Sequence, residues 1–349
     1  MNAPHAYFRL PGRREVFFVA QDGSSSTLSP SLSDSRPGFV FAPFHADGRS
    51  PFIFIRPDVF RQVSLPPDSL PPGFSFRPAS PVNDLRVDYD SRFRIFHDAL
   101  RHKRLQKVVL SRCLPLTTSS PVSPLVLFAR ACRRYPHLFV ALVSSPASGS
   151  WLVATPELLL SSDGTTARTV ALAGTRPDTS SGSDPSWGDK ERHEQALVGD
   201  YIRSTLSPLA ASMEASPLRT VRAAHLLHLS TSFSFRPHDG VPLSNIVTAL
   251  HPTPAVCGLP PREALDTILL HEALPRRYYS GFLGPWQIHD TSGCLPAPTA
   301  LYVSLRCMHI DGSLLRLYAG GGLLEASDRQ SEWDETENKL NTMKQLLYV

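Results

Sequence analysis

A chain of 349 residues, 42% of them hydrophobic and 19% charged, can bury a large core and has the composition of a globular domain. Its net charge of +4 comes from scattered arginines without a basic stripe interleaved with aromatics, which disfavours nucleic acid as a partner. Arg9, Arg13, Arg14 and Glu15 interrupt the first twenty residues, so neither a signal peptide nor a membrane span is expected. Cys113, Cys132, Cys257, Cys294 and Cys307 lack CxxC spacing, which points to reduced thiols and a cytoplasmic protein.

Residues 1–85 mix short strand-like runs, such as Pro51 to Ile55, with Ser/Pro-rich connectors. They read as a less regular N-terminal part of one large domain. From Asp88 the pattern tightens: Phe93, Phe96 and Leu100 recur at helical spacing, and Lys107 to Leu116 reads as a strand. Further strands are predicted at 138–144, 157–161, 225–235, 280–289, 299–310 and 313–318, and helices near 121–134, 188–212, 260–273 and 329–347. That order is α+β and lacks the regular βαβ alternation of a doubly wound fold.

Lys107 opens the β-branched run Lys107-Val-Val-Leu-Ser-Arg112, and lysine occurs only five times in the chain. Burial there would lower an ammonium pKa and make a base, although a strand-end lysine also snorkels readily to water. Glu157 follows a proline and precedes three leucines; it is either a buried general acid with a raised pKa or an exposed strand-edge carboxylate. Glu191 and Glu194 on one helix, and Glu332, Glu335 and Lys339 on another, offer oxygen ligands for a magnesium ion or two solvated faces with ion pairs. Arg306, in the strand beginning at Leu301, and the glycines 320–322 could clamp a carboxylate, or the glycines could form a plain turn. His228 reads as a core histidine. HExxH, P-loop and GxSxG patterns are absent.

In this order the segments resemble the chorismate-utilising enzyme family over roughly residues 100–345. The matching blocks are Lys107–Arg112, Thr155-Pro-Glu157-Leu, Leu172-Ala-Gly-Thr-Arg-Pro177, Lys190-Glu-Arg-His-Glu194, His251-Pro-Thr-Pro-Ala-Val-Cys-Gly258, Ala319-Gly-Gly-Gly322 and Glu332-Trp-Asp-Glu-Thr-Glu-Asn-Lys339. The resemblance implies two large packed antiparallel sheets with helices outside, and a chorismate-binding catalytic region at 86–349. Lysine at position 107, where amine-forming members carry glutamine, and Ala173, where some carry a nucleophilic lysine, imply the isochorismate synthase branch. That activity is a Mg2+-dependent isomerisation whose product feeds menaquinone or siderophore synthesis. The alternatives are a salicylate synthase, which goes on to eliminate pyruvate, and a non-catalytic chorismate-binding protein.

By the same resemblance Lys107 would activate water, Glu157 would protonate the departing hydroxyl, and Glu194 and Glu335, helped by Glu332, would hold Mg2+. Gly174, Thr175, His228, Ala255, Arg306, Gly320 and Lys339 would contact the substrate. A monomer without a glutaminase subunit, and without nucleic-acid or membrane partners, is expected.

Overall fold

The structure is a computed structural model that describes residues 3–348 apart from 24–26, 29–31, 33–35, 179–185, 291–292 and 294. The chain opens with seven short strands: β1 (His5–Arg9), β2 (Val16–Ala20), β3 (Thr27–Leu28), β4 (Gly38–Ala42), β5 (Ile53–Ile55), β6 (Val59–Val63) and β7 (Phe76–Pro78). Helix α1 (Val82–Arg101), β8 (Lys107–Thr118), α2 (Pro124–Arg134), β9 (Phe139–Ser145), β10 (Gly149–Thr155), β11 (Leu158–Ser162) and β12 (Ala167–Pro177) follow. Next come α3 (Asp189–Leu206), β13 (Ala210–Ala215), β14 (Arg219–Ala223), β15 (Leu226–Pro237), α4 (Leu243–Leu250), β16 (Gly258–Leu259) and α5 (Pro261–His271). The chain finishes with β17 (Phe282–Trp286), β18 (Thr299–Val303), β19 (Cys307–Asp311), β20 (Leu314–Leu323) and α6 (Arg329–Lys344).

The strands form two ten-stranded sheets. One runs β16-β8-β20-β19-β10-β9-β1-β2-β6 with β7 also on β8; the other runs β13-β15-β12-β11-β18-β17-β4-β5-β3 with β14 also on β15. The inner faces meet in a cluster that includes Phe8, Phe139 and Trp151 from the first sheet and Phe39, Leu283 and Tyr302 from the second. Phe139 stacks on Tyr302 across the gap at 4.2 Å between ring centroids. Outside the first sheet, α2 and α6 cover Leu142 and Leu152; outside the second, α3 and α4 cover Leu160 and Phe233; α1 and α5 cover β8. Strands such as β9 are therefore buried on both faces, which is why Phe139–Val143 is a continuous apolar run and not an alternating one. The expected layering of two antiparallel sheets with helices outside is the one observed.

Several boundaries differ from the sequence reading. The helix read at 188–212 ends at Leu206, and Ala210–Ala215 is an edge strand. The single strand read at 299–310 is two strands in different sheets. Arg306 is therefore not a strand residue; it sits at φ +42° where the chain leaves one sheet for the other. A second crossing, Pro156-Glu157, joins β10 to β11, so Glu157 lies just outside the strand predicted for it. The two crossings are tied to each other: the Val303 amide donates to the Glu157 carbonyl (2.9 Å) and the Ala154 amide to the Arg306 carbonyl (3.0 Å). Both residues are thereby held at the seam between the sheets. The N-terminal strands lie in both sheets, β1 beside β9 and β4 beside β17.

Candidate active site

Lys107 is the first residue of β8, between β20 on one side and the two-residue β16 on the other. Its side chain is 0% exposed, so the snorkelling alternative does not hold. Nζ lies 3.0 Å from Glu194 Oε1 of α3. A Cβ added to Gly322, which faces Val109 across the ladder, would fall 2.2 Å from that same Oε1 and 3.0 Å from Lys107 Cε. Only glycine lets the lysine and the carboxylate meet over the strand. Burial pushes the Glu194 carboxyl up, but Lys107, Lys339 and Lys190 together outweigh it and hold the group below its ordinary value.

Replacing Gly322 with alanine is expected to cut turnover at least tenfold, because the methyl must displace the Glu194 carboxylate or Lys107. Steady-state kinetics beside thermal unfolding checks this; unchanged kcat would show that the contact is slack.

Glu157 is 3% exposed and is no strand-edge carboxylate. Burial raises its pKa to about 7, while Arg306, Lys107 and Lys339 pull it down. The group senses the charge of Lys107, Arg306 and Lys339, and near neutrality it holds its proton about half the time.

Arg306 donates from Nη2 to His228 Nε2 at 2.9 Å. Because Nε2 accepts, the ring proton is on Nδ1, which donates to the Gly174 carbonyl at 2.9 Å. Burial, with the Arg306 and Lys339 charges, holds the His228 pKa well below its ordinary value and keeps the ring neutral. Register explains the placement. Ala173 pairs with Leu229 and Arg176 with Leu227, so Gly174 and Thr175 both oppose His228 in a bulge, with Gly174 at φ +70°. The Thr175 hydroxyl stands 3.4 Å from His228 Nδ1.

The acidic side chains of α6 close the group. Lys339 Nζ donates to Glu335 Oε1 (2.6 Å) and to the Gly320 carbonyl (2.8 Å). Glu332 Oε1 accepts from Lys190 Nζ (2.5 Å) and Ser327 Oγ (2.6 Å), whereas its Oε2 is buried without a partner. A Cβ on Gly321 would meet Glu332 Oε2 at 3.0 Å and Glu335 Oε1 at 3.8 Å. Gly321 thus leaves room for Glu332 and Glu335 and Gly322 for Glu194, and the Lys190 ammonium senses all three carboxylates. Burial and then Glu335 raise the Glu332 pKa to about 7, against Lys190.

Among the described residues no three His, Cys, Asp or Glu side chains form a metal cage. The set still fits a magnesium ion, which binds through one or two carboxylates and keeps the rest of its shell as water and substrate oxygens. An orphaned buried carboxylate oxygen beside two further acids is a group that a divalent cation satisfies.

Of the residues singled out from sequence, Lys107, Glu157, Glu194, Glu332, Glu335, Lys339, Arg306, His228, Gly174, Thr175 and Gly320 come together through these contacts. Ala255 is partly buried against the apolar cluster that includes Ala173, Ile246, Val247 and Phe282. Sequence reasoning assigned no role to Lys190 or Ser327, whose shared partner Glu332 is 142 residues from Lys190. Arg112 was missed too: its guanidinium stacks 3.8 Å over Trp333 and donates to Thr336 Oγ1 (2.6 Å), seating α6 on β8. Cys113, Cys132, Cys257 and Cys307 are free thiols, and Cys294 lies outside the described residues. Within the described residues, no helix is long and apolar enough to cross a membrane.

Residues 83–348 match the family model described as chorismate binding enzyme; the chain belongs to that family. It is 33% identical over 260 residues to isochorismate synthase DhbC of Bacillus subtilis, covering 70% of this chain and 64% of that protein. It is 31% identical over 248 residues to isochorismate synthase EntC of Escherichia coli, covering 69% and 62%. The chain thus spans somewhat under two thirds of the length of these relatives. In fold it is similar to the menaquinone-specific isochorismate synthase MenF of Escherichia coli, with a TM-score of 0.79 at 22% identity over 99% of this chain and 89% of that one. It is also similar to anthranilate synthase component I of Streptococcus pneumoniae, with a TM-score of 0.70 at 16% identity over 98% and 90%.

Proposed function

We propose that the chain is an isochorismate synthase, converting chorismate to isochorismate by adding water at ring carbon C2 while the C4 hydroxyl departs. The observation that carries this reading is the pairing of a fully buried lysine with a buried carboxylic acid of pKa about 7 in one cluster of charges. One group must take a proton and the other must give one, and an amine beside a carboxylic acid supplies the two chemistries. Lys107 Nζ, paired with Glu194 as an ammonium at rest, takes a proton from the attacking water once it has lost its own and stands as the neutral amine. Glu157 gives its proton to the oxygen leaving C4, and the ring double bonds shift to conserve the diene. Arg306 offers a fixed fork to a substrate carboxylate, held by neutral His228 and the Gly174-Thr175 bulge. Lys339 and the Gly320 backbone line the same wall.

Glu194 and Glu335, with Glu332 beside them, would hold Mg2+, which when bound offsets the negative charge of the substrate and orients it. Glu335→Ala is expected to raise the Mg2+ concentration needed for half-maximal activity at least tenfold. An unchanged titration would remove Glu335 from the ligand set.

Incubation of the purified chain with chorismate and Mg2+, without a nitrogen donor or a second subunit, tests the reading. Isochorismate as product is the expected result. Salicylate with pyruvate would assign the chain to the pyruvate-eliminating reaction, and unchanged chorismate would overturn catalysis altogether. Lysine at position 107, where amine-forming members carry glutamine, supports water as the nucleophile.

A further inference from the structure

We infer that Glu272 and Arg276 are positioning residues for Lys107, acting as a side-chain substitute for a missing strand along the edge of β8. This inference rests on the function proposed above. On its outer edge β8 is paired with backbone towards its two ends, with the β16 segment from Lys107 to the Val109 amide, which donates to the Cys257 carbonyl at 2.8 Å, and with the β7 segment from the Pro115 carbonyl to Thr118. Between them a strand edge would leave donors and acceptors open. Two side chains fill the gap nearest Lys107. Arg276 Nη2 donates to the Val109 carbonyl at 2.7 Å, and Glu272 Oε1 accepts from the Ser111 amide at 2.8 Å.

Residues 107, 109 and 111 share one face of the strand, so the clamp grips the backbone one and two pleats beyond the base. The clamp is itself rigid. Arg276 and Glu272 form a two-point pair, Nε to Oε2 at 2.8 Å and Nη2 to Oε1 at 2.6 Å, with side chains 2% and 6% exposed. Arg276 Nη1 also donates to the Val256 carbonyl at 2.6 Å, two residues before the short strand that pairs with Lys107. One guanidinium thus ties β8 itself to the chain that leads into β16. A lysine ammonium, with a flexible stem and no planar fork, cannot span these acceptors together.

Neither side chain is among the contacts of the Lys107, Glu157 and carboxylate cluster, so their loss acts through the placement of Lys107. Lys107 serves the attacking water and not the groups assigned to ring binding, which directs the effect to kcat. The test compares Arg276→Lys and Glu272→Gln with Leu142→Ala, a core variant on β9, separated from β8 by β20, β19 and β10 in the first sheet, that lowers thermal stability. The expected result is a fall in kcat of tenfold or more in the clamp variants with KM within twofold of the parent, while Leu142→Ala keeps its kcat when folded. Parental kcat in both clamp variants, or the same kcat loss in Leu142→Ala, overturns the inference. Amide exchange over residues 108–112 needs no turnover and is measured on the same proteins. Faster exchange confined to that stretch in the clamp variants supports the clamp, and unchanged exchange overturns it even if the parent chain proves inactive on chorismate. Parent inactivity would by itself sink the proposed reaction and not the clamp.

Discussion

Glu157→Gln is expected to lower kcat by two orders of magnitude or more, the usual contribution of a general acid, equivalent to about 2.7 kcal/mol of barrier. Glutamine keeps the size of the side chain and cannot deliver the proton. The same substitution should make the protein more stable above neutral pH. Burial raises the folded-state carboxyl from 4.5 to about 7, so below pH 4.5 the folded and unfolded groups are both protonated and nothing is lost. As pH climbs from 4.5 towards 7 the unfolded chain ionises while the folded one resists, and the cost to the fold levels off above 7 at roughly 3 kcal/mol. The melting temperature of the variant should match the parent at pH 4 and exceed it at pH 8. Loss of activity without that pH-dependent gain would mean that Glu157 is ionised in the resting protein and is not the acid.

Lys107→Met should abolish turnover to at least the same degree, since the thioether cannot take a proton from water. It also strands Glu194, whose side chain is 13% exposed and pairs with Lys107 at 3.0 Å; removing one partner of a fully buried pair costs about 3–5 kcal/mol, which is the upper bound here. Pairing Lys107→Met with Glu194→Gln neutralises the orphan. The double variant is expected to recover most of the lost stability while remaining inactive. Kinetics and thermal unfolding of the single and double variants separate the two roles, and recovery of activity with stability would reduce Lys107 to a structural counter-ion.

How far the sequence announced this site depends on whether a residue's role is local. The Lys107 strand, the carboxylates of α3 and α6 and the glycines of β20 lie in contiguous stretches whose chemistry can be read directly. Glu157 and Arg306 owe their burial to the two crossings between sheets, and nothing in the leucines after Glu157 or the apolar run before Arg306 marks the point where the chain changes sheet. For the same reason 299–310 read as one strand. β10 and β12 were passed over because small and polar residues, Gly149-Ser150 and Ala171 to Thr175, blur their pattern. The partners Lys190 and Glu332, or Ser111 and Glu272, are joined only by the fold, at separations no periodicity spans.

The first 63 residues supply β1 against Val140–Ser144 of β9 and β4 against all of β17. Both of those inner strands are almost wholly apolar and shielded. A fragment trimmed to residues 83–348 would therefore bare two greasy rows of unsatisfied amides and carbonyls, one on each sheet. Such rows recruit neighbouring molecules, so the leading segment works as a pair of built-in stoppers against polymerisation.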